Sequence, residues 1–106
     1  MACVRASFDA IAWQPGTHPL ERKKVCEARP MALLELGRDF ADPNVCHRSH
    51  VIYVLRGRLE LELDGGVERL DAGQCCWIDA GTAHRARNAG DDSLLLFVAS
   101  DLETPR

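Results

Sequence analysis

Seven consecutive residues, 58–64, constrain this chain more than any others: they read R-L-E-L-E-L-D. Leu59, Leu61 and Leu63 alternate with Glu60 and Glu62, a period of two that puts the leucines on one face of a half-buried strand and the glutamates on the other. A helix would scatter the same leucines around its circumference. Asp64-Gly65-Gly66 supplies hairpin-turn chemistry, and residues 67–70 form the returning strand. Asp71-Ala72-Gly73 turns the chain into an apolar strand at 74–78, which Asp79-Ala80-Gly81 closes. Residues 84–88 alternate again, Ala89-Gly90-Asp91-Asp92 turns once more, and 94–99 is an unbroken apolar run. Such a run suits a strand buried on both faces or packed in an interface.

Upstream, 31–36 and 50–55 also read as strands, with Pro30 marking the start of the first and 21–28 a weaker strand candidate. Residues 39–44 form a loop containing Pro43. Residues 4–13 fit either a short helix or an edge strand. Short strands at even spacing between Gly and Asp turns indicate an all-β sandwich or barrel. No linker, repeat or low-complexity stretch divides the 106 residues, so the expectation is one domain over 1–106 with its core at about 21–99.

The charge balance excludes some functions. A net charge of −3 gives no basic face of the kind nucleic acids require. The single basic run, Arg22-Lys23-Lys24, reads as a solvated face. No apolar run approaches the roughly 20 residues of a membrane span. Residues 1–12 lack a basic start followed by an apolar stretch, so a cytoplasmic location is expected. The five cysteines, Cys3, Cys26, Cys46, Cys75 and Cys76, are odd in number and contain no C-x-x-C pair. That favours reduced thiols over a disulfide framework or a zinc ribbon.

Gly73, Asp79, Gly81, His84 and Asn88 stand at the spacing G-x5-P-x-G-x2-H-x3-N, with Asp79 in place of the proline. This resembles the second motif of the cupin superfamily. The first cupin motif, H-x-H-x(3–4)-E-x6-G, is degraded. Gly57 matches its final glycine, while His50 occupies the usual Glu position, Cys46 the second His and Asn44 the first. The chain looks like the small cupins that carry Cys-x3-His ahead of a Y-V-L-x-G strand, a resemblance covering about 21–99. It implies a double-stranded β-helix, a jelly-roll-like barrel, with a divalent-metal or small-ligand site at its mouth.

Strand parity points to the same residues. Cys46 and His50 share a face in an extended segment, whereas His47 lies on the opposite one. On the later strand His84 and Asn88 share a face, and Arg85 and Arg87 point outward. If the two strands are neighbours, Cys46, His50 and His84 converge. One thiolate and two imidazoles suit Zn, Fe, Ni or Cu, with positions left open for water or substrate. The other reading makes Cys46 a small core residue and the histidines hydrogen-bonded walls of a polar cavity. Asn44 is a weak oxygen ligand or a turn residue, and Asp79 either orients a histidine or supplies turn chemistry.

Cys75 and Cys76 face opposite sides of their strand, one inward and the other toward a second layer or interface. Tyr53, Trp77 and Phe97 read as core or dimer-interface residues, and His18 as a surface loop residue. No Glu or Asp is placed in the mouth, because Glu60 and Glu62 point outward. Three functions follow from the resemblance: a metal-dependent dioxygenase, isomerase or lyase acting on a small polar substrate; a non-catalytic small-ligand module or sensor; and a structural homodimer with a vestigial site. The doubly apolar run at 94–99 and the small size both favour a homodimer.

Overall fold

The structure, a computed structural model, describes residues 2–102. Nine strands carry the fold: β1 (Gln14–Pro15), β2 (Glu21–Cys26), β3 (Met31–Leu36), β4 (His50–Arg56), β5 (Arg58–Leu63), β6 (Gly66–Asp71), β7 (Cys75–Ile78), β8 (His84–Asn88) and β9 (Leu94–Ser100). The expected strands are present, and the weaker candidate at 21–28 is the regular strand β2. Residues 4–13 hold a single 3-10 turn, Phe8–Ala10, and there is no α-helix among the described residues. Among the described residues no helix is long and apolar enough to cross a membrane.

Every strand pair is antiparallel. Six strands in the order β1-β2-β3-β9-β4-β7 form one sheet, and β6-β5-β8 form a second. The architecture is a β-barrel, as the resemblance implies, in which the sheets enclose a core of alternating side chains. From β5 come Leu59 and Leu61, from β9 Leu94, Leu96 and Val98, and from β4 Ile52 and Val54. Leu63, expected inward with its neighbours, is only partly buried at the sheet's end and packs against the edge of this core.

The run at 94–99 has two unequal faces. Leu94, Leu96 and Val98 are buried, while Leu95, Phe97 and Ala99 are half-buried on the outside of the larger sheet. The N-terminal segment covers part of that outer side: the Phe8 ring stands 6.2 Å from that of Phe97. The basic run on β2 is divided by strand parity. Arg22 and Lys24 point outward over the Trp13 ring, at 4.4 and 4.9 Å from its centroid. Arg22 also pairs with Glu35 at 2.6 Å, and Lys24 donates to the Phe8 carbonyl at 2.8 Å. Lys23 points the other way, into the barrel opening, so the run is not one solvated face.

Two glycines in the motif frame have backbone roles. Gly57, at φ 95°, forms the joint between β4 and β5, where an added Cβ would sit 3.1 Å from the Leu94 Cα and the Ser93 carbonyl. Gly81, at φ 88°, turns the chain just before β8. Asn88 closes the motif as a buried tie. Its Nδ2 donates to the carbonyls of Leu36, Gly37 and Asp92 at 3.1, 3.1 and 2.8 Å, and its Oδ1 accepts from the Gly90 amide.

Candidate metal centre

Three elements converge at one end of the barrel. Residues 41–46 run beside β8, and Cys46 and His84 form a two-way backbone pair. The Cys46 amide donates to the His84 carbonyl at 2.9 Å, and the His84 amide donates back at 3.0 Å. His50 opens β4, with Ser100 of β9 on one side and Ile78 of β7 on the other. The ligand-capable atoms of Cys46, His50 and His84 all lie within 4.8 Å of one another. Cys46 Sγ is 3.4 Å from His50 Nε2, and the two imidazole rings stand 5.0 Å apart, nearly perpendicular at 84°.

The hydrogen bonds behind the rings decide which nitrogens face inward. His84 Nδ1 donates to the Thr82 carbonyl at 2.8 Å, since a carbonyl can only accept. The neutral His84 ring therefore carries its free lone pair on Nε2. His50 Nδ1 lies 2.8 Å from Ser100 Oγ, so its Nε2 is the atom turned toward Cys46. Burial pushes the His50 pKa down to about 4, reinforced by the charges of His84 and Arg48 and opposed by Asp101. At neutral pH the ring is unprotonated, as ligation requires.

His50 is held by a clasp of successive pairings. Arg48 Nε and Nη2 fork onto the Asp101 carboxylate at 2.9 and 2.7 Å. Ser49, buried, accepts from the Leu102 amide on its Oγ at 2.7 Å and from the Asp101 amide on its carbonyl at 3.0 Å. Asp101 sits at φ 55°, an uncommon conformation for a residue other than glycine, and both Arg48 and Ser49 hold it there. Sequence alone gave no sign of this clasp, because it joins segments about fifty positions apart.

The other candidates separate. His47 is exposed and engages the site's frame only through its backbone carbonyl, which accepts from Gly81 at 2.8 Å. Asn44 is exposed, and its amide donates to Asp42 Oδ1, the turn role. Asp79 accepts from Trp77 Nε1 at 2.9 Å and touches no histidine. His18 is more than a surface loop residue: its ring packs edge-on to the buried Phe40 at 4.8 Å. Cys76 packs against the core, whereas Cys75 is exposed. Trp77 is 65% exposed and Tyr53 39%, so neither belongs to the barrel core.

Two carboxylates that the sequence reading left out of the mouth are in it. A cavity of about 130 Å³ inside the barrel is walled by Cys46, His50 and His84 together with Glu21 and Asp42. Glu21 accepts from the Thr17 amide and hydroxyl at 3.1 and 3.3 Å, and neither carboxylate joins the Cys46–His50–His84 cluster. The sequence signal for Glu21 was the parity of β2, legible only once 21–28 is accepted as a strand lining the barrel. Asp42 lies in a loop and had no such signal.

The family model described as Cupin domain matches residues 36–100. Several solved structures share the fold at low identity. KdgF from Halomonas sp. is 24% identical, with TM-score 0.72, 90% of this chain and 92% of that one covered. A predicted oxalate decarboxylase from Thermotoga maritima is 17% identical, with TM-score 0.79 and coverage of 94% and 100%. A sugar phosphate isomerase from a cupin superfamily, from Silicibacter pomeroyi, is 16% identical, with TM-score 0.75 and coverage of 94% and 76%. No curated protein matches in sequence.

Proposed function

The chain belongs to the cupin family, and from that premise we propose that Cys46, His50 and His84 bind a divalent transition ion (Zn, Fe, Ni or Cu) on which a small molecule is bound or turned over. The observation that carries this reading is the donor set. One thiol and two imidazoles come within 4.8 Å of each other, with the Nδ1 atom of each ring already committed to a hydrogen bond. Those spacings suit ligands that share one ion, since metal–S and metal–N distances are about 2.3 and 2.0–2.1 Å.

An ion held by three protein ligands keeps an open position, where it supplies Lewis acidity or an activated water. The rest of the chemistry falls to this chain. His84 and His50 present Nε2, Ser100 and Thr82 fix the rings, and Leu34, Leu61 and Val98 keep one side of the cavity dry. Glu21 and Asp42, on the same cavity wall, provide carboxylates able to accept a proton from a bound molecule. Their presence supports the enzyme reading over a sensor or a vestigial site. The oxalate decarboxylase and sugar phosphate isomerase activities named for two neighbours are examples of that class on this fold, and the substrate here is its own question.

The same reading places the protein in a reducing compartment, consistent with five free thiols, and as a homodimer through the outer face of the larger sheet. The decisive measurement is the metal-to-chain ratio of protein purified without a His tag, followed by titration with Zn²⁺, Ni²⁺ and Fe²⁺. A stoichiometric ion lost in His84→Ala supports the proposal, and wild type that takes up none of the three ions refutes it. Thermal stabilisation by candidate ligands without turnover would assign the site to binding, not catalysis.

A further inference from the structure

Strand parity leaves one cation of the β2 basic run unaccounted for. Arg22 and Lys24 have partners on the outer face. Lys23 is half-buried on the inner face and forms no ion pair among the described residues. It lines an opening of about 310 Å³ shared with Arg48, His50 and Ser100. Glu21, Leu34, His50 and Val98 border both that opening and the barrel cavity. The other charges lining it are Glu21, two residues earlier on the same face of β2 and bonded to Thr17, and Arg48, paired with Asp101. Lys23 is therefore the cation lining this opening that has no ion-pair partner, in a space that also reaches His50 of the three converging ligands.

We propose that Lys23 is the recognition residue for a small organic acid: it binds the ligand's carboxylate, while an oxygen at the ligand's other end faces the metal centre and its short apolar body lies on Leu34 and Val98. This rests on the metal-site reading for the second anchor but not for the first. The chemistry is that of a flexible ammonium on a half-desolvated stem, which binds a carboxylate as an ion pair and a neutral amide carbonyl only through a weaker hydrogen bond. Lys24, next in sequence and on the opposite face, is the internal control.

Succinate is the probe, and succinamide, its neutral counterpart, the comparison. Calorimetric titration into Zn²⁺-loaded and metal-free protein, each as wild type, Lys23→Met and Lys24→Met, tests the proposal. Methionine keeps the apolar stem and removes the charge, and thermal melts verify that each variant is folded. Succinate should bind wild type, bind Lys23→Met at least about tenfold more weakly, as loss of one charge-assisted hydrogen bond dictates, and bind Lys24→Met unchanged. Succinamide should bind wild type more weakly than succinate does. Equal affinity of Lys23→Met and Lys24→Met, equal binding of succinamide and succinate, or no succinate binding to any form would overturn it. If wild type takes up no Zn²⁺, the metal reading fails alone: Lys23-dependent succinate binding to metal-free protein still upholds the anion site.

Discussion

Ser100 Oγ lies 2.8 Å from His50 Nδ1, and it is this contact, across 50 residues of sequence, that turns His50 Nε2 toward Cys46 and His84. A histidine ligand whose far nitrogen is unheld rotates and pays in affinity. Ser100→Ala should therefore weaken Zn²⁺ binding about 10–100-fold, measured by chelator competition, with the melting temperature of the metal-free protein little changed. Ser100→Thr, which keeps the hydroxyl, should retain wild-type affinity. Equal affinity in Ser100→Ala and wild type would remove Ser100 from the site.

Parity makes a sharper contrast between two nearby histidines. His84→Ala deletes one of three ligands and should abolish stoichiometric metal uptake, whereas His47→Ala, exposed on the other side of its segment, should leave it unchanged. Equal loss of binding in both variants would show that the fold of the 46–50 segment, with its bend at Arg48, does not select the ligands.

What the sequence disclosed and what it hid follow the range of the interactions involved. The alternation of Leu59 and Leu61, the Gly57 and Gly81 turns and the spacing of His84 and Asn88 are local patterns, and each reappears as expected. The convergence of Cys46, His50 and His84 was a parity argument conditional on two segments being neighbours, which the Cys46–His84 backbone pair satisfies. Glu21, Lys23, Ser100 and Asp101 were not legible as parts of the mouth. Their places depend on which strand lies beside which, and β2 and β9 are far from β4 in sequence. Of the two places the sequence allows Trp77, core or interface, its 65% exposure excludes the core, because its side chain lies on the outer face of β7 while Cys76 and Ile78 turn inward.

The depressed His50 pKa fixes the direction of the acid response of the metal-free protein. The unfolded ring titrates near 6.5 and the folded ring near 4, so the unfolded state binds the extra proton first. The contribution of neutral His50 is fully present above pH 6.5 and declines as pH falls to about 4. Allowing for the half-exposed ring, the loss should be on the order of 1–2 kcal/mol. Denaturant midpoints at pH 7 and pH 4.5 should differ more in wild type than in His50→Gln, and an identical pH dependence in the two would contradict the assignment.

Asn88 carries a structural load separate from the chemistry. It is 3% exposed, and its amide serves the carbonyls of Leu36, Gly37 and Asp92. Asn88→Ala strands those acceptors and should cost about 2–3 kcal/mol of unfolding free energy, read from denaturant midpoints. A loss below about 0.5 kcal/mol, the level of an ordinary surface change, would mean that water replaces the tie.

The outer face of the larger sheet sets the last expectation. Tyr53 and Leu55 of β4, Trp77 of β7 and the half-buried Phe97 of β9 lie on it, and the Tyr53–Phe97 and Tyr53–Cys75 pairings make the patch continuous across three strands. The N-terminal segment reaches Phe97 but leaves Trp77 65% exposed. Large aromatic residues gathered on one open face raise the free energy of the isolated chain in water, and in a protein this small a matching copy is the simplest cover. Sedimentation at tens of micromolar, roughly ordinary assay concentration, should show a homodimer. Trp77→Glu, which would place a charge in the interface, should shift it to monomer while the far-UV spectrum stays that of β-sheet. A wild-type monomer under those conditions, or a dimer indifferent to Trp77→Glu, would show that this face is not where two copies meet.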